Sequence, residues 1–338
     1  MRGDKLSLSR VLTQVENDTA MGRAALELLF PLAGNSYLIG ITGSPGSGKS
    51  TLVNSLVLNL RNKTTDKKPP KVAIIAVDPT SPYSGGALLG DRVRMQDLSG
   101  DSGIFIRSMA SRGALGGLAH TTAAFTQVLD AAGYDIIIIE TVGAGQAEVE
   151  IAGLAHTIIV VEAPGMGDDI QAIKAGILEI ADILVVNKAD RPEAQSTIRA
   201  LRAMIDMAHG KSDRLPGNKH LIKLNTDPST PLDNKDDPDE WIIPVISTIA
   251  TESIGIEDLV AKIVQHRDYL HQTGIWEKRE RASIQLEFET LFRDTLSRQW
   301  IAQIPPEVID TIIDALFHRS IAPHTAVERL LAYNKSLK

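Results

Sequence analysis

Short apolar runs punctuate the first three-quarters of the chain, spaced so that a helix fits between most neighbours. They read YLIGIT (37–42), KVAIIAV (71–77), IFIR (104–107), DIIIIE (135–140), TIIVVE (157–162), DILVVN (182–187) and IIPVI (242–246). Several are apolar without alternation and rich in β-branched residues, the pattern of strands covered on both faces in a parallel sheet. Between them, residues 48–61, 114–131 and 192–209 repeat apolar positions three and four apart, which predicts helices. Strands alternating with helices imply right-handed βαβ units and so an α/β fold with a doubly wound, mostly parallel sheet.

Three stretches depart from that rhythm. Residues 5–33 have helical periodicity, so 1–36 reads as an N-terminal helical extension to a core domain spanning 37–272. Residues 211–240 are polar and rich in Pro and Asp, and read as a long surface insertion before the last strand. From 256 to 334 the pattern is helical with no strand, and PPEVIDTIIDALFHR places prolines at a helix start. The region 273–338 is expected to pack on the core or on a second copy of the chain.

Composition narrows the class. The 338 residues include 35 basic and 42 acidic side chains, a net charge of −7, which lacks the basic excess of a general nucleic-acid binder. There is no cysteine, which excludes disulfides, thiolate metal sites and cysteine nucleophiles. The start MRGDKLSLSRVLTQVEND has no apolar core of signal-peptide length, and no run is long enough to span a bilayer. A cytoplasmic protein with no membrane partner is expected.

The chemistry begins right after the first strand. Gly43-Ser44-Pro45-Gly46-Ser47-Gly48-Lys49-Ser50, followed by Thr51, fits G-x-x-x-x-G-K-[ST] between a strand and a helix, the context that pattern requires and the mark of a P-loop NTPase. Glycines let backbone N–H groups face phosphate oxygens, and the helix N-terminus adds its positive end. Lys49 supplies a charge to the β and γ phosphates, and the Ser50 hydroxyl can ligate Mg²⁺. Carboxylates at strand ends on the same edge are candidates for the metal's surroundings: Asp78 after KVAIIAV, Glu140 after DIIII, and Asp91 further along. Gly143, three residues past Glu140, can offer a backbone N–H to a γ phosphate.

The run ILVVNKAD places Asn187, Lys188 and Asp190 at the end of another strand. An Asp carboxylate there accepts two hydrogen bonds from guanine N1–H and N2–H₂. Adenine has no matching donor pair, so GTP is favoured over ATP.

These segments resemble a known family. GITGSPGSGKST, VAIIAVDPTSPYSGGALLGDRVRM, FIRSMASRGALGGLA, DIIIIETVGAGQAE, APGMGDDIQAIKAGILEIADILVVNKAD and GIEDL resemble, in order and spacing, the MeaB/ArgK family of G3E P-loop GTPases over roughly residues 1–300. The resemblance implies a homodimer formed through C-terminal helices. It implies a chaperone of adenosylcobalamin-dependent acyl-CoA mutases of the methylmalonyl-CoA mutase type, gating cofactor loading through GTP binding and slow hydrolysis. It implies phosphate contacts from Gly43 to Thr51, a magnesium shell of Ser50, Asp78, Asp91 and Glu140, and a second switch from Glu140 to Gln146. Lys49, Glu140, Gly143 and Gln146 are the expected catalytic group. Gly165 to Lys174 matches the segment that touches the mutase. Thr248-Ile249-Ala250, with Thr251 following, stands where the family has Thr-Ser-Ala against the guanine, and the Ala250 N–H is expected to face guanine O6.

Other readings are weaker. A P-loop kinase acting on a small molecule is the alternative, but most such kinases take ATP. A metal-delivery GTPase is disfavoured by the missing cysteines. No Asp-x-His-x-x-Gly loop occurs, so this chain is not expected to hold cobalamin in that way. Arg92, Arg94, Arg107 and Arg112 lie near the phosphate side in sequence, and an ion-paired surface is the more economical reading of each.

Overall fold

The computed structural model describes residues 4–62, 68–79, 98, 100–111, 117–141, 151–165, 180–210 and 241–333. The apolar runs become strands: β1 (Tyr37–Gly43), β2 (Val72–Pro79), β3 (Ile104–Ser111), β4 (Ile136–Thr141), β5 (Thr157–Glu162), β6 (Ile183–Asn187) and β7 (Val245–Thr248). Among the described residues they form one sheet in the order β3-β2-β4-β1-β5-β6-β7, every pair parallel. The chain leaves β1 toward β2 on one side and later returns to β5 on the other. The topological switch therefore falls at β1, where ligands bind at the carboxyl edge of such sheets.

The unbroken apolar runs have a direct cause. Ala73, Ile75, Ile137, Ile139, Ile158, Val160, Leu184 and Val186 face one core. Their neighbours Val72, Ile74, Ile138, Ile159, Val161, Ile183 and Val185 face the other. Both faces are covered, so neither parity can be polar. The first core is closed by α1 (Lys5–Glu16), α2 (Ala20–Leu29), α4 (Gly117–Ala131) and α5 (Ala194–Gly210). The second is closed by α3 (Lys49–Asn62), α6 (Ile256–Gln272) and the start of α7 (Ile275–Ile301). Arg107 of β3 donates to Glu16 at 2.7 Å and to Thr13 at 3.2 Å, so it serves as an ion pair fastening α1 over the sheet. Arg92, Arg94 and Arg112 lie outside the described residues.

Several strand bounds differ from the sequence expectation: β3 runs on past 107 to Ser111 and β2 past 77 to Pro79. The run 242–246 predicts a strand that in fact spans Val245–Thr248. Pro244 has no N–H for the ladder, so pairing starts after it, while its carbonyl still accepts from Leu184 N at 2.9 Å. The insertion 211–240 lies outside the described residues.

At the amino ends of β1, β5 and β6 sits a buried polar network. Asp182 accepts from Arg279 (2.8 and 3.0 Å) and from Ile158 N (2.9 Å), with His266 Nε2 3.4 Å away. His266 Nδ1 meets Thr157 Oγ1 at 2.7 Å, and Thr157 in turn bonds the Tyr37 hydroxyl. Burial alone would raise the Asp182 carboxyl, but Arg279, His266 and the Ile158 N–H hold it below its usual range. His156, stacked on Trp276 with ring centres 3.7 Å apart, accepts from Leu38 N at Nδ1. That bond fixes the neutral tautomer with the proton on Nε2.

The chain divides into two compact units, Met1–Glu287 and Phe288–Lys338, the boundary falling within α7. The second holds the remainder of α7, α8 (Pro306–Phe317) and α9 (Pro323–Tyr333). Pro305 caps α8 and Pro306 occupies its first turn, as the sequence predicts. Trp300 Nε1 donates to the Leu330 carbonyl at 3.3 Å, tying α7 to α9 within this unit. Among the described residues no helix is long and apolar enough to cross a membrane.

Candidate nucleotide site

The phosphate loop follows β1 into α3 at the sheet's carboxyl edge. Gly43 has φ +133°, and a Cβ there would lie 2.0 Å from the Val161 carbonyl oxygen, so only glycine lets the loop leave between β1 and β5. Gly48 has φ +91°, and a Cβ would lie 2.4 Å from Asn187 Nδ2. Buried Lys49 donates to the carbonyls of Gly43 (2.8 Å) and Ser44 (2.9 Å), which holds its ammonium at the mouth of the loop. The Ser50 hydroxyl donates to Glu140 Oε1 at 2.6 Å, with both residues buried. The fold thus brings these two oxygens, both of them in the expected magnesium shell, together. A hydroxyl and a carboxylate at a helix N-terminus are hard oxygen donors of the kind Mg²⁺ takes, so the residues fit that ion.

The loop 187–190 is tied to this cradle. Asn187 Nδ2 donates to Ser47 O at 2.9 Å, and Lys188 Nζ donates to Gly46 O at 2.7 Å. Lys188 has φ +58°, a left-handed conformation that costs a non-glycine residue about 1 kcal/mol and persists where neighbours over-determine it. Here Ala189 N donates to Thr248 O at 3.0 Å and Arg191 N to Lys188 O at 3.1 Å, pinning both sides of the turn. Asp190 stands exposed beyond it.

The third loop, Ile249 to Thr251, joins at the same place. Asn187 Oδ1 accepts from Thr248 Oγ1 and from Ala250 N, each at 3.1 Å, and Ser55 of α3 donates to Ala250 O at 2.6 Å. The Ala250 N–H expected to face a guanine oxygen is thus engaged with Asn187, and any contact with a base would share that donor. Thr251 lies exposed in the adjoining turn Ala250–Glu252.

Not every candidate is brought into view. Asp78 belongs to β2, opposite Ala110 of β3, and its side chain is outside the described part. Asp91, Gly143, Gln146 and residues 166–174 lie outside the described residues as well, while Gly165 is exposed with φ +87°. Sequence reasoning missed Glu162. It ends β5, much as Glu140 stands one residue before the end of β4, and Ser44 Oγ donates to its Oε2 at 2.8 Å. A charge closing an apolar run was the signal available, the same one that singled out Glu140.

A parallel sheet with a phosphate-gripping loop at its switch point, hydrogen-bonded to an Asn-Lys-x-Asp loop, defines a P-loop GTPase. The family described as Methylmalonyl Co-A mutase-associated GTPase MeaB matches residues 8–304, and this chain belongs to it. A Pyrococcus abyssi protein described as a GTPase is 41% identical, over 98% of this chain and 93% of that protein. GTPase ArgK of Escherichia coli K12 is 30% identical, over 97% of this chain and 92% of its own length. The mitochondrial methylmalonic aciduria type A homolog of Caenorhabditis elegans is 36% identical across 56% of this chain and 50% of that protein. A solved LAO/AO transport system kinase shares the fold, with a TM-score of 0.68 and 23% identity over 99% of this chain and 94% of that one.

Proposed function

We propose that this GTPase gates the loading and protection of adenosylcobalamin on a B12-dependent acyl-CoA mutase of the methylmalonyl-CoA mutase type, as a cytoplasmic homodimer. GTP and GDP would bind with Mg²⁺. The observation that carries nucleotide binding is the direct bonding of the base-reading loop to the phosphate loop, Asn187 to Ser47 and Lys188 to Gly46. Those contacts hold the two halves of the proposed site together. The family and its mutase-associated description support the client.

Ser50 and Glu140 would hold Mg²⁺, directly or through water, with Asp78 and Asp91 completing its surroundings. When bound, the ion neutralises charge developing on the transferring phosphate. Lys49 binds the β and γ phosphates, Gly43 to Thr51 cradle them, and Gly143 and Gln146 act at the γ phosphate and the attacking water. Asp190 accepts from the guanine, while Ile249, Ala250 and Thr251 line its edge. Slow intrinsic hydrolysis that rises with the client is the expected kinetics. Gly165 to Lys174 is the segment proposed to touch the mutase.

For the dimer, the support is a set of exposed apolar side chains four apart on the C-terminal helices. Phe288, Phe292 and Leu296 share one face of α7, Ile313 and Phe317 one of α8, and Val327 and Leu331 one of α9.

Calorimetry tests the site. Lys49→Ala should abolish tight GTP binding, and Asp190→Asn should weaken GTP and relax discrimination against ATP. Unchanged GTP affinity in either variant removes that assignment. For the client, mutase reconstitution with adenosylcobalamin should depend on GTP and on this protein together. Phosphate from GTP appearing on a small-molecule acceptor rather than in water would favour a phosphotransferase instead.

A further inference from the structure

Glu162 closes a strand that is otherwise TIIVV and is 2% exposed. A carboxylate withdrawn from water is costly unless it is hydrogen-bonded or paired, so its place at the end of β5 asks for a role. The β1–β5 register sets Gly43 against Val161, which puts Glu162 beside the first turn of the phosphate loop. There it accepts the Ser44 hydroxyl at 2.8 Å.

Ser44 is a junction. Its carbonyl accepts Lys49 Nζ at 2.9 Å and Ser47 N at 3.2 Å, so it closes the loop's turn and carries the lysine at once. Pro45 follows, which biases the Ser44 backbone toward extended conformations. The side chain is therefore the free handle by which the junction's orientation can be set. The hydrogen bond from the Ser44 hydroxyl to the Glu162 oxygen is what holds the handle in place.

We infer that Glu162 is a positioning residue of the phosphate loop: through Ser44 it orients the carbonyl that carries Lys49, and so places the ammonium that meets the β and γ phosphates. This deepens the proposed nucleotide reading and rests on it.

The test uses the full chain, calorimetry with GTPγS, GDP and ATP, and thermal unfolding of each variant. Glu162→Ala and Ser44→Ala should each weaken GTPγS on the order of tenfold, the worth of one buried hydrogen bond. The double variant should be no weaker than the weaker single variant. Glu162→Gln, whose amide oxygen still accepts, should stay within about threefold of the parent. Discrimination against ATP should be unchanged throughout, because the base reader is untouched, whereas a general loosening of the fold would erode it too. Additive losses in the double variant, or a Glu162→Gln as weak as Glu162→Ala, overturn the inference. If Glu162→Ala does not fold, Ser44→Ala decides alone, and unchanged affinity in it overturns the inference. Lys49→Ala separates the two claims. Lost binding there with intact Ser44→Ala sinks only the role of Glu162, while intact binding in Lys49→Ala sinks the site itself.

Discussion

At the scale of single residues, the site is built by removing atoms as much as by placing them. Gly43 and Gly48 both sit at positive φ with no room for a methyl group. The obstacles differ in kind, and so do the expected outcomes. At Gly43 the obstacle is the backbone of β5, so Gly43→Ala should lower the free energy of unfolding by about 2 kcal/mol or more, read by denaturant titration. At Gly48 the obstacle is the Asn187 side-chain amide, which can swing aside but then loses Ser47. Gly48→Ala should fold, bind GTP at least about tenfold more weakly, and show this by calorimetry. Both glycines were legible from the spacing of the motif. Which neighbour each one makes room for was not, because Val161 and Asn187 arrive from strands more than a hundred residues away.

At the scale of elements, the amino edge of the sheet carries a second polar centre remote from the nucleotide. Asp182 leads into β6, and Arg279 reaches it from α7 with only 9% of its side chain exposed. Removing one partner of such a pair strands the other charge, so Asp182→Ala should cost about 3–5 kcal/mol, measurable in guanidinium unfolding. GTP affinity in the surviving folded protein should change little, since the network lies at the opposite strand ends. The strands were readable because a two-faced parallel sheet imposes continuous apolar runs. The network was not readable: Asp182, His266 and Arg279 are separated in sequence and none belongs to a spaced motif.

At the scale of the whole molecule, the same network sets the response to acid. Burial, with Arg279's charge, pushes His156 down to about 3, and burial pushes His266 down to about 4 against the pull of Asp182. Both folded values lie below the ordinary 6.5, so the unfolded chain takes up protons first as pH falls. Stability is then whole above pH 6.5 and drains as pH drops toward the folded values, at about 1.4 kcal/mol per pH unit for each histidine. Asp182, held low, adds a loss of the same sign below the ordinary carboxylate range. Thermal midpoints measured from pH 7.5 to about 4.5 should fall progressively, and a His266→Gln variant should fall less steeply. For the proposed dimer, Phe288→Glu with Phe292→Glu should give a monomer in light scattering while leaving nucleotide binding in place, since neither exposed side chain is among the proposed nucleotide contacts.

By itself the sequence determined the αβ alternation, the strand set to within a few residues and the two motif loops, because periodicity and motif spacing are local properties of a chain. Tertiary structure alone decided which loops touch. It brought Asn187 under Ser47 and Glu162 behind Ser44, and it engaged Ala250 N–H with Asn187. Those contacts depend on which strands become neighbours and in what register, and that is fixed by the packing of two cores on one sheet rather than by any stretch of residues read alone.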